Sequence, residues 1–277
     1  MTQTAAGMLI SGPNHSRPDD DYGIDRVPRP IASRAREMPD GYYTERHQHR
    51  RAQLLFASKG TLVATTDQGI WVVPSQRALW IPVFEDHAVL ARGQVSLRSL
   101  YFRPGLVPHM PSACTVVTVT PLLRELILAC VALPTKYDED GTDGRLVQVL
   151  LDQIQTLPAT PLHLPMPSDA RLLPIAEALS AHPANPRSLD DWAGQVGASA
   201  RTLTRLFIAE TGMTFRDWRQ QVRLLEALTR LGDGQPVTSV ALDLGYESQS
   251  AFISMFKRAL GKTPGKYFAD APKGLTT

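Results

Sequence analysis

Between Ser188 and Pro264 one local pattern is written twice, and this repetition limits the fold more than any other feature of the chain. In the first copy Ser188 is a helix N-cap, with Asp190 and Asp191 in the first turn where the helix dipole favours acids. Leu189, Trp192, Ala193 and Val196 recur at helical spacing, Gly197 permits a turn, and Ser199 caps a second helix. That helix places Leu203, Leu206 and Phe207 inward and ends at Gly212. In the second copy Val237, Val240, Ala241 and Leu244 form the short helix and Gly245 makes the turn. Ser248 then caps a helix with Ala251, Phe252 and Phe256 inward, closed by Thr263-Pro264. Two short helices around a tight glycine turn make a helix-turn-helix, whose second helix enters the major groove when the unit binds DNA. A continuous helix from Phe215 to Leu231 joins the copies. At ~1.5 Å per residue it spans about 25 Å, and the flanking units bring two recognition helices near the ~34 Å between successive major grooves.

The first recognition helix leaves Arg201, Thr202, Thr204 and Arg205 off its apolar face. Arginine grips guanine O6 and N7 with two parallel N–H groups, and threonine can meet a thymine methyl or a phosphate. The second leaves Gln249, Ser250 and Ser254 outward, followed by Lys257 and Arg258. On the connector, Arg216, Arg219 and Arg223 suit either phosphate contact, which positions without reading sequence, or ion pairs inside the domain. A single helix pair would leave all of these readable as solvated surface charge; the repeat on a fixed spacer favours DNA. Net charge adds nothing: it is +2 for the whole chain, and Ser168 to Thr277 carries 13 Lys/Arg against 11 Asp/Glu.

Four ordered motifs strengthen the reading. They are A-x3-G-x-S-x-R-T-L-x-R-x-F (Ala193 to Phe207), E-T-G-x-x-F-x-x-W-R (Glu210 to Arg219), R-L-x-x-A (Arg223 to Ala227) and V-A-x-x-x-G-Y-x-S-x-S-x-F-x-x-x-F-K-R-x-x-G-x-T-P-x-x-Y (Val240 to Tyr267). In these the stretch Leu189 to Phe268 resembles the DNA-binding domain of the AraC/XylS regulators. The family often carries Arg at the position of Ser254, so its absence shifts base reading toward the first recognition helix.

The N-terminal half has a different texture. Short apolar runs between Ile31 and Phe102, separated by turn signals such as Ser58-Lys59-Gly60 and Asp67-Gln68-Gly69, predict an antiparallel sandwich or small barrel. Within it, Gly41 to Gly60 reads G-x5-H-x-H-x3-Q-x6-G. His47, His49 and Gln53 share a parity, so on one strand they would face the same way. Pro82-x-Phe84-x2-His87 supplies a third imidazole. This resembles the two cupin motifs, which imply a metal held by His47, His49, Gln53 and His87: a divalent first-row ion such as Zn, Ni, Fe or Mn. Three positions depart from the cupin pattern: Gln53 replaces Glu, Phe84 stands where Gly is expected, and Ala91 where Asn is expected. A polar effector pocket without metal is the competing reading. Trp71, Trp80, Phe84 and Tyr101 are candidates for an aromatic effector pocket, against the simpler reading of Trp and Tyr as core. His15, His109, His163 and His182 read as surface or loop residues.

The expected organisation is α+β and multidomain. It comprises a disordered leader (1–25), a cupin-like barrel (26–118), a helical pair with a possible dimerisation role (119–157), a proline-rich linker (158–168) and an all-α double helix-turn-helix domain (169–277). The linker rests on Pro158, Pro161, Pro165 and Pro167, which stiffen an extended chain. Cys114 and Cys130 have no CxxC spacing and read as buried hydrophobes in a reducing cytoplasm, and no apolar run approaches a membrane span. The function expected is a sequence-specific transcription regulator that is not an enzyme. It would bind promoter DNA as a homodimer, respond to a small effector and meet RNA polymerase, without a membrane. The alternative is a metal-dependent cupin oxygenase or isomerase fused to a DNA-binding domain.

Overall fold

The computed structural model describes residues 14–16, 22–154, 160 and 162–269. The chain divides into two compact units, built mainly of residues 12–67 with 71–163, and of 164–273.

The first unit is an antiparallel sheet with helices against it. Its elements are β1 (Asn14–Ser16), α1 (Tyr22–Asp25), β2 (Ile31–Met38), β3 (Tyr42–His47), β4 (Ala52–Thr66), β5 (Gly69–Pro74), β6 (Arg77–Ile81), β7 (His87–Phe102) and β8 (Thr115–Thr118). Two long strands organise it: β7 pairs with β2, β3 and β4, while β6 pairs with β4 and β8. The leader is less bare than its polar composition suggests, because β1 pairs in parallel with β3 and α1 follows it; residues 1–13 and 17–21 lie outside the described residues.

The amphipathic stretch forms α2 (Pro121–Val131) and α3 (Thr142–Ile154), with residues 155–157 of the expected pair outside the described residues. Thr120 caps α2 by accepting from the Leu123 N–H, and Pro121 occupies the first turn, where its missing N–H does no harm. Leu123 and Ile127 of α2 and Val147, Leu150 and Ile154 of α3 form one buried cluster with Leu54, Phe56, Leu100 and Phe102 of the sheet. The helix pair therefore covers one sheet face. It keeps Leu122 and Val149 exposed.

The second unit is helical: α4 (Leu173–Ala181), α5 (Leu189–Val196), α6 (Ala200–Thr211), α7 (Phe215–Gly232), α8 (Val237–Asp243), α9 (Gln249–Leu260) and α10 (Pro264–Ala269). The repeat is written in its caps. Ser188, Ser199, Thr214 and Ser248 each accept a hydrogen bond from the third residue of the helix they start, each worth about 1 kcal/mol. Ser188 and Asp191 complete a capping box. Gly197, Gly212 and Gly261 end α5, α6 and α9 in the left-handed conformation that glycine adopts without strain. One inward assignment changes. Ala251 is exposed, and Met255 joins Phe252 and Phe256 in the core, because positions three and four apart share a helix face and 251 lies off the one that 252, 255 and 256 make.

The proline-rich segment is not a free linker where it is described. Thr160 donates from its backbone to Val116 O at 2.7 Å, and Val72 donates to Leu162 O, both in the first unit. In the second unit, Pro165 O accepts from Trp218 Nε1 at 2.8 Å, and Glu210 accepts from the Ser168 and Asp169 N–H groups at 2.7 and 3.0 Å.

Candidate nucleic-acid interface and histidine cluster

On α6, Arg201 and Arg205 are exposed, and among the described residues neither side chain makes a hydrogen bond or ion pair. Their five N–H donors each remain available to an outside acceptor. The two threonines serve the helix as well. Thr202 Oγ1 lies 2.9 Å from the Ser199 hydroxyl, and Thr204 Oγ1 donates to Ala200 O at 2.9 Å. The fully buried Phe207 and Leu203 anchor the opposite face; Leu206, expected inside, is half-buried.

On α9, Ser250, Ser254, Lys257 and Arg258 are all exposed. Lys257 and Arg258 sit in the last turn, where they also complement the helix dipole. Gln249 is committed in part: its Oε1 accepts from Thr238 of α8 at 3.1 Å, tying together the two helices of the second helix-turn-helix. The first two turns of α9 present only uncharged side chains, whereas α6 presents Arg201 and Arg205 there.

The connector arginines separate. Arg219 donates to Arg187 O at 3.1 Å and lies 5.3 Å from the Phe215 ring. Arg223 donates to Pro183 O at 2.9 Å and lies 5.6 Å from the Tyr246 ring. Both hold the loop between α4 and α5 onto α7. Their partners are backbone carbonyls and aromatic faces, not the carboxylates of an ion pair. Burial, and then the neighbouring Arg219, lower the pKa of Arg223. Arg216 is exposed and makes no side-chain bond among the described residues, which leaves it the connector cation able to reach phosphate.

In the first unit the histidines do converge. The ring centroids of His47 and His87 are 4.4 Å apart, of His49 and His87 5.2 Å, and of His47 and His49 6.2 Å. The route differs from the expected one. His47 ends β3 opposite His87 of β7, after a bulge; His49 lies in the connection beyond it, and Gln53 is on β4. Strand parity alone therefore did not place them; the crossing of three strands did. Backbone carbonyls of Glu45, Arg51 and Glu85 accept from Nδ1 of His47, His49 and His87 respectively.

Gln53 decides what the cluster can hold. Its amide nitrogen lies 3.1 Å from both Ser99 Oγ and Tyr101 OH, and its Oε1 lies 3.1 Å from His49 Nε2. Two arrangements satisfy every atom. Either His49 is protonated on both nitrogens, or its ring is neutral and the amide is turned so that its N–H donates to Nε2 while the two hydroxyls donate to Oε1. In both, His49 Nε2 belongs to Gln53. Among the described residues no group of three or more His, Cys, Asp or Glu could hold a metal ion. The donors thus do not fit the Zn, Ni, Fe or Mn site implied by the cupin motifs, since two remaining imidazoles fall short of three protein ligands.

The aromatic candidates are mostly corrected. Trp71 is buried, stacks on His163 at 3.9 Å and donates to Thr66 Oγ1. His163 is thus packed, against expectation. Trp80 is core on the helix-covered side, against Phe102, with Nε1 donating to Pro111 O. Phe84 is 60% exposed, with φ at 59°, the left-handed region suited to the glycine that the cupin motif has here. Tyr101 alone meets the cluster, edge-on to His49 at 5.2 Å. Sequence reading missed Arg34 and Arg36. They alternate along β2 and, with Met38, line the cleft that also contains His47, Gln53, His87 and Tyr101. The signal was present as R-x-R at strand period, easily taken for surface charge.

A family model for an AraC-like ligand binding domain matches residues 30–182, and one for a helix-turn-helix domain matches residues 192–270. The chain is 40% identical over 223 residues to the HTH-type transcriptional regulator NimR of Escherichia coli K12, covering 80% of this chain and 81% of that one. It is 36% identical over 90 residues to the regulatory protein SoxS of the same strain, covering 32% of this chain and 84% of that one. A solved structure of ToxT from Vibrio cholerae aligns over 87% of this chain and 99% of that one, with TM-score 0.37 and 10% identity.

Proposed function

The chain is a member of the AraC family of helix-turn-helix transcription regulators, and from that premise we propose that α6 and α9 enter successive major grooves on one face of promoter DNA while a small effector in the N-terminal domain modulates the binding. The observation that carries this reading is the pair of identically capped recognition helices on a single connector. The 18 residues of α7, at ~1.5 Å each, set a spacing of about 27 Å before the width of the flanking helices is added. Arg201 and Arg205 read bases, with Thr202 and Thr204 beside them. Ser250, Ser254, Gln249, Lys257 and Arg258 dock the second helix, and Arg216 meets phosphate. Arg219 works from within, by holding the loop under α7.

The regulator works in the cytoplasm, carries out no catalytic turnover and meets RNA polymerase at the promoter. Among the described residues no helix is long and apolar enough to cross a membrane. The exposed Leu122 and Val149 on the helix pair support a homodimer through that face.

Spacer variation tests the groove assignment. Inserting five base pairs between the two contacted segments rotates one by half a turn, and affinity should fall at least tenfold. Undiminished binding would remove the two-groove reading. Oxygen consumption or isomerase turnover by metal-loaded protein that binds no upstream DNA would restore the enzyme alternative.

A further inference from the structure

Ile208 of α6 is 50% exposed, a large apolar side chain that the helix does not bury. A β-branched residue is also a poorer helix former than lysine or glutamate, so the helix itself does not call for it. Its position does. Ile208 follows Arg201 by seven residues, which is two turns, so both side chains leave α6 on the same side. Thr204 and Arg205 fall between them, and all four are exposed. Leu203 and Phe207, on the opposite face, are fully buried. The exposed stripe thus runs at positions i, i+3, i+4 and i+7, the spacing with which the recognition helix of a homeodomain reads base edges. The stripe carries no acid to repel phosphate. The next acid along α6, Glu210, accepts from the Ser168 and Asp169 N–H groups at 2.7 and 3.0 Å.

The second recognition helix shows what else can stand at this place. Ile208 lies nine residues after its cap Ser199, and Lys257 lies nine after Ser248. By the same count Arg201 and Arg205 correspond to Ser250 and Ser254. α9 therefore starts neutral and ends on a cation, whereas α6 starts with two cations and continues to an apolar residue. A lysine there can hold a phosphate on any sequence. An isoleucine gains only from an apolar group, and the major groove offers one, the C5 methyl of thymine.

We propose that Ile208 is a further specificity-determining residue of α6, and that it packs on the C5 methyl of a thymine in the major groove. The proposal rests on the reading in which α6 enters that groove, and it adds a base to those that Arg201 and Arg205 select. Along the helix axis Ile208 lies about 4.5 Å beyond Arg205. A base-pair step is about 3.4 Å. The thymine therefore belongs within about two base pairs of the guanine that Arg205 takes.

The test uses the full chain and an upstream DNA fragment that it binds. Each thymine near the bases that Arg201→Ala and Arg205→Ala cease to distinguish is replaced in turn by deoxyuridine, which lacks only the methyl. Wild type should lose about fourfold in affinity at one position, the worth of one buried methyl. Ile208→Ala should bind the thymine and uracil fragments alike at that position. Its Tm should stay within about 2 °C of wild type, since an exposed side chain is shortened. Thr204→Ser removes the other methyl on the stripe and should leave the uracil effect in place. The proposal is overturned if no thymine methyl matters to wild type, if the uracil effect survives Ile208→Ala or vanishes in Thr204→Ser, or if Ile208→Ala weakens binding equally on all fragments. Arg205→Ala that loses base preference beside a neutral Ile208→Ala removes the methyl contact alone. Wild-type protein that binds no upstream fragment removes the groove reading beneath it.

Discussion

Arg201→Ala and Arg205→Ala separate base reading from everything else these residues could do. Both guanidiniums are exposed and unbonded among the described residues, so truncation removes no intramolecular contact and should leave Tm within about 1–2 °C. The whole effect should then appear in DNA affinity. A bidentate contact to guanine is worth about 1–3 kcal/mol, or roughly 5- to 150-fold in Kd. The loss should be confined to the cognate sequence, and sites with that base pair changed should bind wild type and variant alike. Fluorescence anisotropy with a promoter fragment and single-base variants, at two salt concentrations, reads both quantities. Arg223→Ala is the internal control. It loses a charge-assisted bond to Pro183 O at 2.9 Å and the contact with Tyr246. It should destabilise the fold by about 2–3 kcal/mol without changing base preference. Equal weakening on all sequences, with the salt slope falling by about 0.9, would mean that Arg201 or Arg205 meets phosphate. A large Tm loss in either would refute the surface assignment itself.

Other outcomes follow from the buried groups. Trp218→Phe deletes the donor to Pro165 O and should lower stability by about 2–3 kcal/mol, seen as a melting transition of the DNA-binding unit about 10 °C lower; unchanged melting would show that the bond contributes nothing. Burial pushes both Cys114 and Cys130 up to about 12, so a disulfide reagent at pH 8 should label neither in native protein and both after unfolding. Because the folded values lie above the unfolded value of 9.0, this contribution to stability is complete below pH 9 and is lost as pH rises toward 12. Phe84→Gly relieves a left-handed backbone and should stabilise by up to about 1 kcal/mol after glycine's own entropy is counted; a lower Tm would show that the exposed ring carries a contact. Metal analysis of purified protein should give less than one equivalent. Gln53→Glu, which restores an anionic donor, should raise zinc uptake, and stoichiometric metal in the wild type would overturn the donor accounting.

Much of the DNA-binding unit was legible because its information is local. Capping serines, turn glycines and apolar residues at helical spacing act over a few positions, so Ser188, Ser199 and Ser248 mark helix starts in sequence and in structure alike. The polar faces of α6 and α9 follow from the same periodicity. The first unit was legible only in outline. That His47, His49 and His87 meet is stated by the motif, but what they can do depends on Gln53, Ser99 and Tyr101 arriving from β4 and β7. Trp71 and Trp80 were open to a pocket reading beside the simpler core one, because strand spacing gives a side chain's parity and not what covers its face. The sequence by itself determined two helix-turn-helix units and an antiparallel sheet domain before them, since short-range patterns specify elements. Only the tertiary structure decided that α2 and α3 cover the sheet, that Arg219 and Arg223 turn inward, and that Arg34 and Arg36 line the cleft beside His47 and His87. Each of those outcomes depends on residues brought together from distant parts of the chain, and no local pattern records which of them will meet.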